Sequence, residues 1–143
     1  MGDGAMILCG LPSSASAKAR QLQETISCIK KTIDDFIKLK NKIPGTAAQA
    51  GLSTCWGITK GRPIKVMGEY CGKDINKCAR LCGMAGPDGI VIIANDFPEL
   101  PEFPADSAMF FSRETCTLKG ISGIHDVWIT GVNAVQKNRK NSL

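Results

Sequence analysis

The chain has 143 residues, 43% hydrophobic and 22% charged, which suits one domain with a single core, so disorder is not the default. The net charge of +5 lies partly in the terminal QKNRKNSL, and no basic run is interleaved with aromatics, so nucleic-acid binding is not expected. No run of about eighteen apolar residues occurs and no basic stretch opens the chain; neither a membrane span nor a signal peptide is readable, and a cytoplasmic location is expected.

In chain order, MGDGAMILCG reads as a turn at Gly2 to Gly4 followed by a short strand, Ala5 to Cys9. In LPSSAS, Pro12 and several serines can start a helix. Leu22, Ile26, Ile29, Ile33 and Phe36, at spacings of four and three, predict that helix over Ala15 to Lys40, ended by Pro44 and Gly45. Between Gln49 and Val66, the alternation of Leu52, Thr54, Trp56 and Ile58 predicts two strands or one long bent strand, with Gly57 and Gly61 as bend points.

Gly72 closes a loop, Asp74 is the expected cap of a second helix, and Ile75, Cys78, Ala79 and Cys82 give that helix its apolar side. AGPDG is a turn and IVIIA a buried strand. Pro98, Pro101 and Pro104 make NDFPELPEFPADSAMFF a loop, and CTLKGISGIHDVWITGV reads as two strands about a turn at Ser122 and Gly123. Strands interleaved with helices, and at least one helical crossover, predict an α/β or α+β fold with helices packed on a sheet.

Seven cysteines form an odd set without CxxC spacing, and the only histidine, His125, is remote from the cluster Cys71, Cys78 and Cys82. Free, mostly buried thiols are expected rather than structural zinc. Asn76 and Arg80, four apart, share one helix face beside the loop carrying Glu69. An amide, a guanidinium and a carboxylate in one place can grip a nucleotide, and a planar guanidinium suits phosphate. The same residues also fit an ordinary solvated helix face.

The order GDG before an apolar strand, then GEYCGKDINKCARLCGMAGPDGIVI, then LKGI, resembles the class III adenylate and guanylate cyclase catalytic domain. The family pattern GDYFGxxVNxAARL is met in phase by Gly68, Tyr70, Gly72, Asn76, Ala79, Arg80 and Leu81, and the resemblance spans Gly2 to about Thr130. It implies an α+β, ferredoxin-like sandwich over residues 1–132 with a polar basic tail at 133–143. It also implies a phosphorus-oxygen lyase that converts ATP or GTP to a 3′,5′-cyclic nucleotide and pyrophosphate in intracellular signalling.

Carried over by position, Asp3 matches a metal-binding aspartate for Mg2+ or Mn2+, and magnesium binds through one or two carboxylates plus phosphate. Arg80 matches the arginine that stabilises the transition state, Asn76 the asparagine that positions the ribose, and Lys119 a phosphate-binding lysine. Glu69 stands where adenylate cyclases commonly carry the base-reading aspartate, which leaves the choice of purine open. The family's sites lie between two catalytic domains, so the implied partner is a second cyclase domain, as in a homodimer, with Asp3 of one chain facing Arg80 and Lys119 of the other.

Family members also carry, before the GD hairpin, a strand with the first metal aspartate, a helix and a further strand. Met1 stands at the hairpin here, so the resemblance implies a domain lacking that strand-helix-strand, one metal ligand and a central strand; little turnover is expected of these 143 residues alone. Three readings follow: a nucleotidyl cyclase, a non-catalytic cyclase-homology module that dimerises and regulates, and a nucleotide sensor without turnover.

Overall fold

The computed structural model describes residues 4–43, 45, 53–98 and 111–130. Helix α1 runs Ala15–Lys42, two residues past its expected end. Ser14, in extended conformation, accepts the Ala17 N–H at 3.2 Å, satisfying one of the donors a helix start leaves open. Lys40 and Lys42 occupy the last turn, where cations suit the helix dipole. Leu22, Ile26, Ile29 and Ile33 are buried along the expected stripe. On the solvent side Lys30–Asp34 and Lys31–Asp35 form ion pairs one turn apart, each worth a few tenths of a kcal/mol.

After α1 come β1 (Trp56–Ile58), β2 (Ile64–Val66), β3 (Glu69–Cys71), α2 (Lys73–Ala85), β4 (Ile90–Ile93), a single 3-10 turn at Ala94–Asp96, β5 (Ser112–Leu118) and β6 (Ile121–Ile129). The main sheet has the order β1-β4-β6-β5; β1 and β4 are parallel and the other pairs antiparallel. β2 and β3 form a separate hairpin, and with α2 they make up the crossover that a parallel pair requires. The chain is thus α+β with a mixed sheet.

Strand alternation decides which helix covers which face. Ile90, Ile92 and Trp128 pack with the α1 stripe, together with Trp56 and Ile58. Val91, Ile93, Val127, Ile129 and Leu118 pack with Leu81 and Ala85 of α2. β4 is buried at all four positions because a helix lies on each side of it, and each such side chain contributes about 1.5–3 kcal/mol.

Gly57 is not the expected bend but lies within β1, on the α2 side. A Cβ there would sit 2.6 Å from the Cys78 carbonyl oxygen and 2.8 Å from the Cys82 nitrogen, so its bare backbone lets α2 rest directly on the strand. The expected turn at AGPDG is present. Gly86 and Asp88 adopt φ of 75° and 56°, and the Asp88 N–H donates to the Thr54 carbonyl at 2.7 Å, stitching the start of β1 to that of β4.

Four expectations are corrected. The strand expected at Ala5 to Cys9 does not form: residues 4–10 join no ladder, and Met6, Ile7 and Leu8 are exposed. A strand needs a partner's hydrogen bonds and a covered face, and among the described residues none supplies them to this segment; Gln21 Nε2 ties it to α1 by donating to the Gly10 carbonyl at 2.6 Å.

Asp74 does not cap α2. The N-cap is Gly72, at φ 142°, and Asp74 sits in the first turn, where its carboxylate accepts the Arg62 N–H at 3.2 Å. The buried side of α2 is Leu81 and Ala85, flanked by half-buried Ile75, Cys78 and Cys82, whereas Ala79 is exposed. Finally, the β5–β6 turn falls at Lys119 and Gly120, with Gly120 at φ 78°; Ser122 and Gly123 lie inside β6. Leu52, Pro44, the proline-rich residues after Pro98, and the 132/133 boundary lie outside the described residues.

Candidate functional site

The burial of Leu81 fixes how α2 is rotated on the sheet. A step of about 100° per residue then turns its neighbour Arg80 outward, and Arg80 is exposed. Leu118 is likewise buried at the end of β5, and the left-handed Gly120 closes the turn immediately after it, which leaves Lys119 exposed at the tip. These two anchored leucines set Arg80 and Lys119 on the rim of one shallow cavity of about 290 Å³. Ala79, Gly83 and Met84 of α2 and Thr117 and Leu118 of β5 complete its lining.

The ion pairs among the described residues are Lys30–Asp34, Lys31–Asp35 and Arg113–Asp126, and none involves Arg80 or Lys119. Two cations around one depression, with no ion-pair partner among the described residues, can receive an anion with several oxygens, and phosphate fits the fork of Arg80 and the point charge of Lys119. Gly83 keeps the floor open, since nothing lies within 4 Å of where its Cβ would be.

Asn76 is exposed one turn before Arg80 on the same helix, and its backbone N–H closes onto the Gly72 carbonyl at 3.3 Å. Glu69 is exposed on β3, opposite Val66, on the hairpin that leads into α2 and outside the cavity lining. Next to it, the Lys65 ammonium lies 5.5 Å from the Tyr70 ring centroid, a cation–π contact that orders the hairpin. The structure therefore brings Arg80 and Lys119 together, keeps Asn76 on their helix and Glu69 on the preceding hairpin, while Asp3 lies outside the described residues. Sequence reasoning missed Gly83, Met84 and Thr117; the i,i+3 spacing of Gly83 from Arg80 is the local signal that could have found the first.

The thiols depart from expectation. Cys9, Cys28, Cys55 and Cys71 are exposed, and Cys78, Cys82 and Cys116 half-buried, so none belongs to the core. Cys78 and Cys82 face β1 from α2, Cys55 precedes β1, and Cys116 packs from within β5 against a core that larger apolar residues fill. Burial pushes the Cys78 thiol up. Cys82 is pushed up to about 12, by burial first and then by the neighbouring Cys55 and Cys78.

Among the described residues no helix is long and apolar enough to cross a membrane. No protein-family model matches the chain, and no curated protein matches it.

Proposed function

We propose that the chain is a class III nucleotidyl cyclase catalytic domain, of the ferredoxin-like cyclase type. In this reading it forms a 3′,5′-cyclic nucleotide and pyrophosphate from ATP or GTP, with Mg2+ or Mn2+, in a dimer. The observation that carries the reading is the meeting of Arg80 and Lys119 on one cavity, 39 positions apart in the sequence and both without an ion-pair partner among the described residues.

Lys119 holds the phosphates, and Arg80 offsets the charge that grows as the ribose 3′-hydroxyl attacks the α-phosphate. Asn76 orients the ribose and Glu69 accepts a hydrogen bond from the purine. Asp3 is a carboxylate suited to a divalent cation, and its contribution comes from the second chain. A divalent cation held by Asp3 would lower the cost of the attacking alkoxide and screen the phosphates.

The test is titration of the chain with ATP and with GTP in the presence of Mn2+, followed by turnover in an N-terminally extended chain that supplies a second metal aspartate. Lys119→Ala is expected to weaken triphosphate binding by about tenfold or more, whereas Lys31→Ala, which removes the same charge from α1, leaves it unchanged. Arg80→Ala should lower kcat by about 10²–10³ with little change in binding. Absent binding, or equal losses at Lys119 and Lys31, refutes the nucleotide site. Binding without cyclic product from the extended chain selects the alternative of a catalytically inactive, nucleotide-binding or dimerising module.

A further inference from the structure

A second convergence of reactive side chains joins α2 to the residue just before β1. Cys55 Sγ and Cys82 Sγ lie 3.1 Å apart, and the Cys82 thiol also donates to the Cys55 carbonyl at 2.9 Å. One turn earlier on α2, the Cys78 thiol donates to the Gly57 carbonyl at 3.1 Å. The cause of the approach is Gly57: with no Cβ in the way, α2 settles on β1 closely enough to bring two residues 27 apart in sequence into sulfur contact.

A disulfide needs about 2.05 Å between sulfurs, so the pair has about 1 Å left to close, within the reach of small side-chain rotations. Cys55 is exposed, so a small oxidant reaches it, while Cys82 is half-buried behind it. The other exposed thiols do not share this arrangement: Cys71, for example, faces the Ile64 carbonyl at 3.5 Å.

We propose that Cys55 and Cys82 are a redox dithiol, oxidised by a low-molecular-weight disulfide to a bond that staples β1 to α2. The Cys55 thiolate attacks one sulfur of the oxidant, breaking its S–S bond and releasing the first small thiol, and a mixed disulfide remains on Cys55. Cys82 then loses its proton and attacks the Cys55 sulfur, releasing the second small thiol. Two protein thiols give up two electrons and two protons, and the oxidant takes both as its bond is reduced to two thiols. The ring so closed contains β1, the β2–β3 hairpin and the first turns of α2, and with them Glu69, Asn76 and Arg80. The inference stands whether or not the cavity takes a nucleotide.

The experiment incubates the full chain with oxidised glutathione, traps free thiols by alkylation and maps the linkages by peptide mass spectrometry. Cys55 and Cys82 should lose their free thiols together and appear as one cross-linked peptide pair, while Cys28 takes at most a glutathione adduct. Cys82→Ser should leave glutathione on Cys55, and Cys78→Ser should still close the Cys55–Cys82 bond. In strong urea the preference should move to thiols closer in sequence, such as Cys78 and Cys82, because ring length then governs closure. A persistent mixed disulfide on Cys55 of the unaltered chain, a main linkage from Cys55 to Cys71 or Cys78, or the same linkage pattern in urea and in buffer overturns the proposal.

Discussion

An alanine at Gly57 would place its Cβ 2.6 Å from the Cys78 carbonyl oxygen, 2.8 Å from the Cys82 nitrogen and 2.9 Å from Leu81 Cβ, all well inside the 3.4 Å at which ordinary contact begins. Two of the three atoms are helix backbone, so no rotamer change relieves the overlap, and α2 itself must back away from β1. Its retreat loosens Leu81 and Ala85, both 0% exposed, from Val91 and Ile93. Forced overpacking of this kind costs about 1–3 kcal/mol, which lowers the unfolding midpoint by several degrees in a domain of this size.

Gly83, on the same helix, is the control. Nothing lies within 4 Å of its Cβ position, so alanine there should stabilise by about 0.5–1 kcal/mol through helix propensity alone. Urea unfolding followed by the fluorescence of Trp56 and Trp128 measures both changes. If Gly57→Ala is as stable as the parent, or if the two variants shift in the same direction, the close helix–strand approach is not what Gly57 provides.

Two further outcomes are expected. If the proposed site is shared between chains, mixing N-terminally extended Asp3→Ala and Arg80→Ala variants should restore cyclic-nucleotide formation that neither shows alone, with a yield that rises with protein concentration; variants that exchange subunits yet stay inactive at every ratio refute the sharing. In the reduced chain, Cys82 titrates at about 12 against an ordinary 9.0, held protonated by burial and by Cys55 and Cys78. The folded state thus binds the proton more tightly than the unfolded state does. This stabilisation is complete below about pH 9 and is lost as pH rises through 12. Cys82→Ser should show a shallower fall in stability over that window, and an identical fall in both proteins refutes it.

The elements that were legible in the sequence are those whose signal is local. The α1 stripe repeats every three to four residues over three turns, and IVII is apolar throughout because both of its faces are covered. The misread elements depended on something elsewhere in the chain. Ala5 to Cys9 has the composition of a strand, but only a partner makes one. LKGISG offers two glycine turns, and Gly120 and Gly123 both have positive φ; cross-strand register, with Leu118 opposite Ile121, selects the first. Asp74 looked like a cap because aspartate commonly is one, yet Gly72 takes the position and leaves the carboxylate to Arg62. At the candidate site the pairing of Asn76 with Arg80 was readable from helical period, whereas the apposition of Arg80 with Lys119 came only from the family resemblance. The Cys55–Cys82 contact had no signal at all, since no spacing rule links residues on separate elements.

The length of α1 carries a consequence for the chain's motions. Its 28 residues extend about 42 Å, whereas the longest strand beneath it, the nine residues of β6, covers only about 30 Å. The fully buried stripe runs from Leu22 to Ile33, so both ends of the helix project past the part that is fully buried. Amide protons in that central stretch should then exchange with solvent only when the sheet contact itself opens, while those toward Ala15 and Lys42 exchange through fraying that leaves the core intact. A single continuous helix would thus behave as three segments in time: a slow centre held by the sheet and two faster arms that are less completely buried.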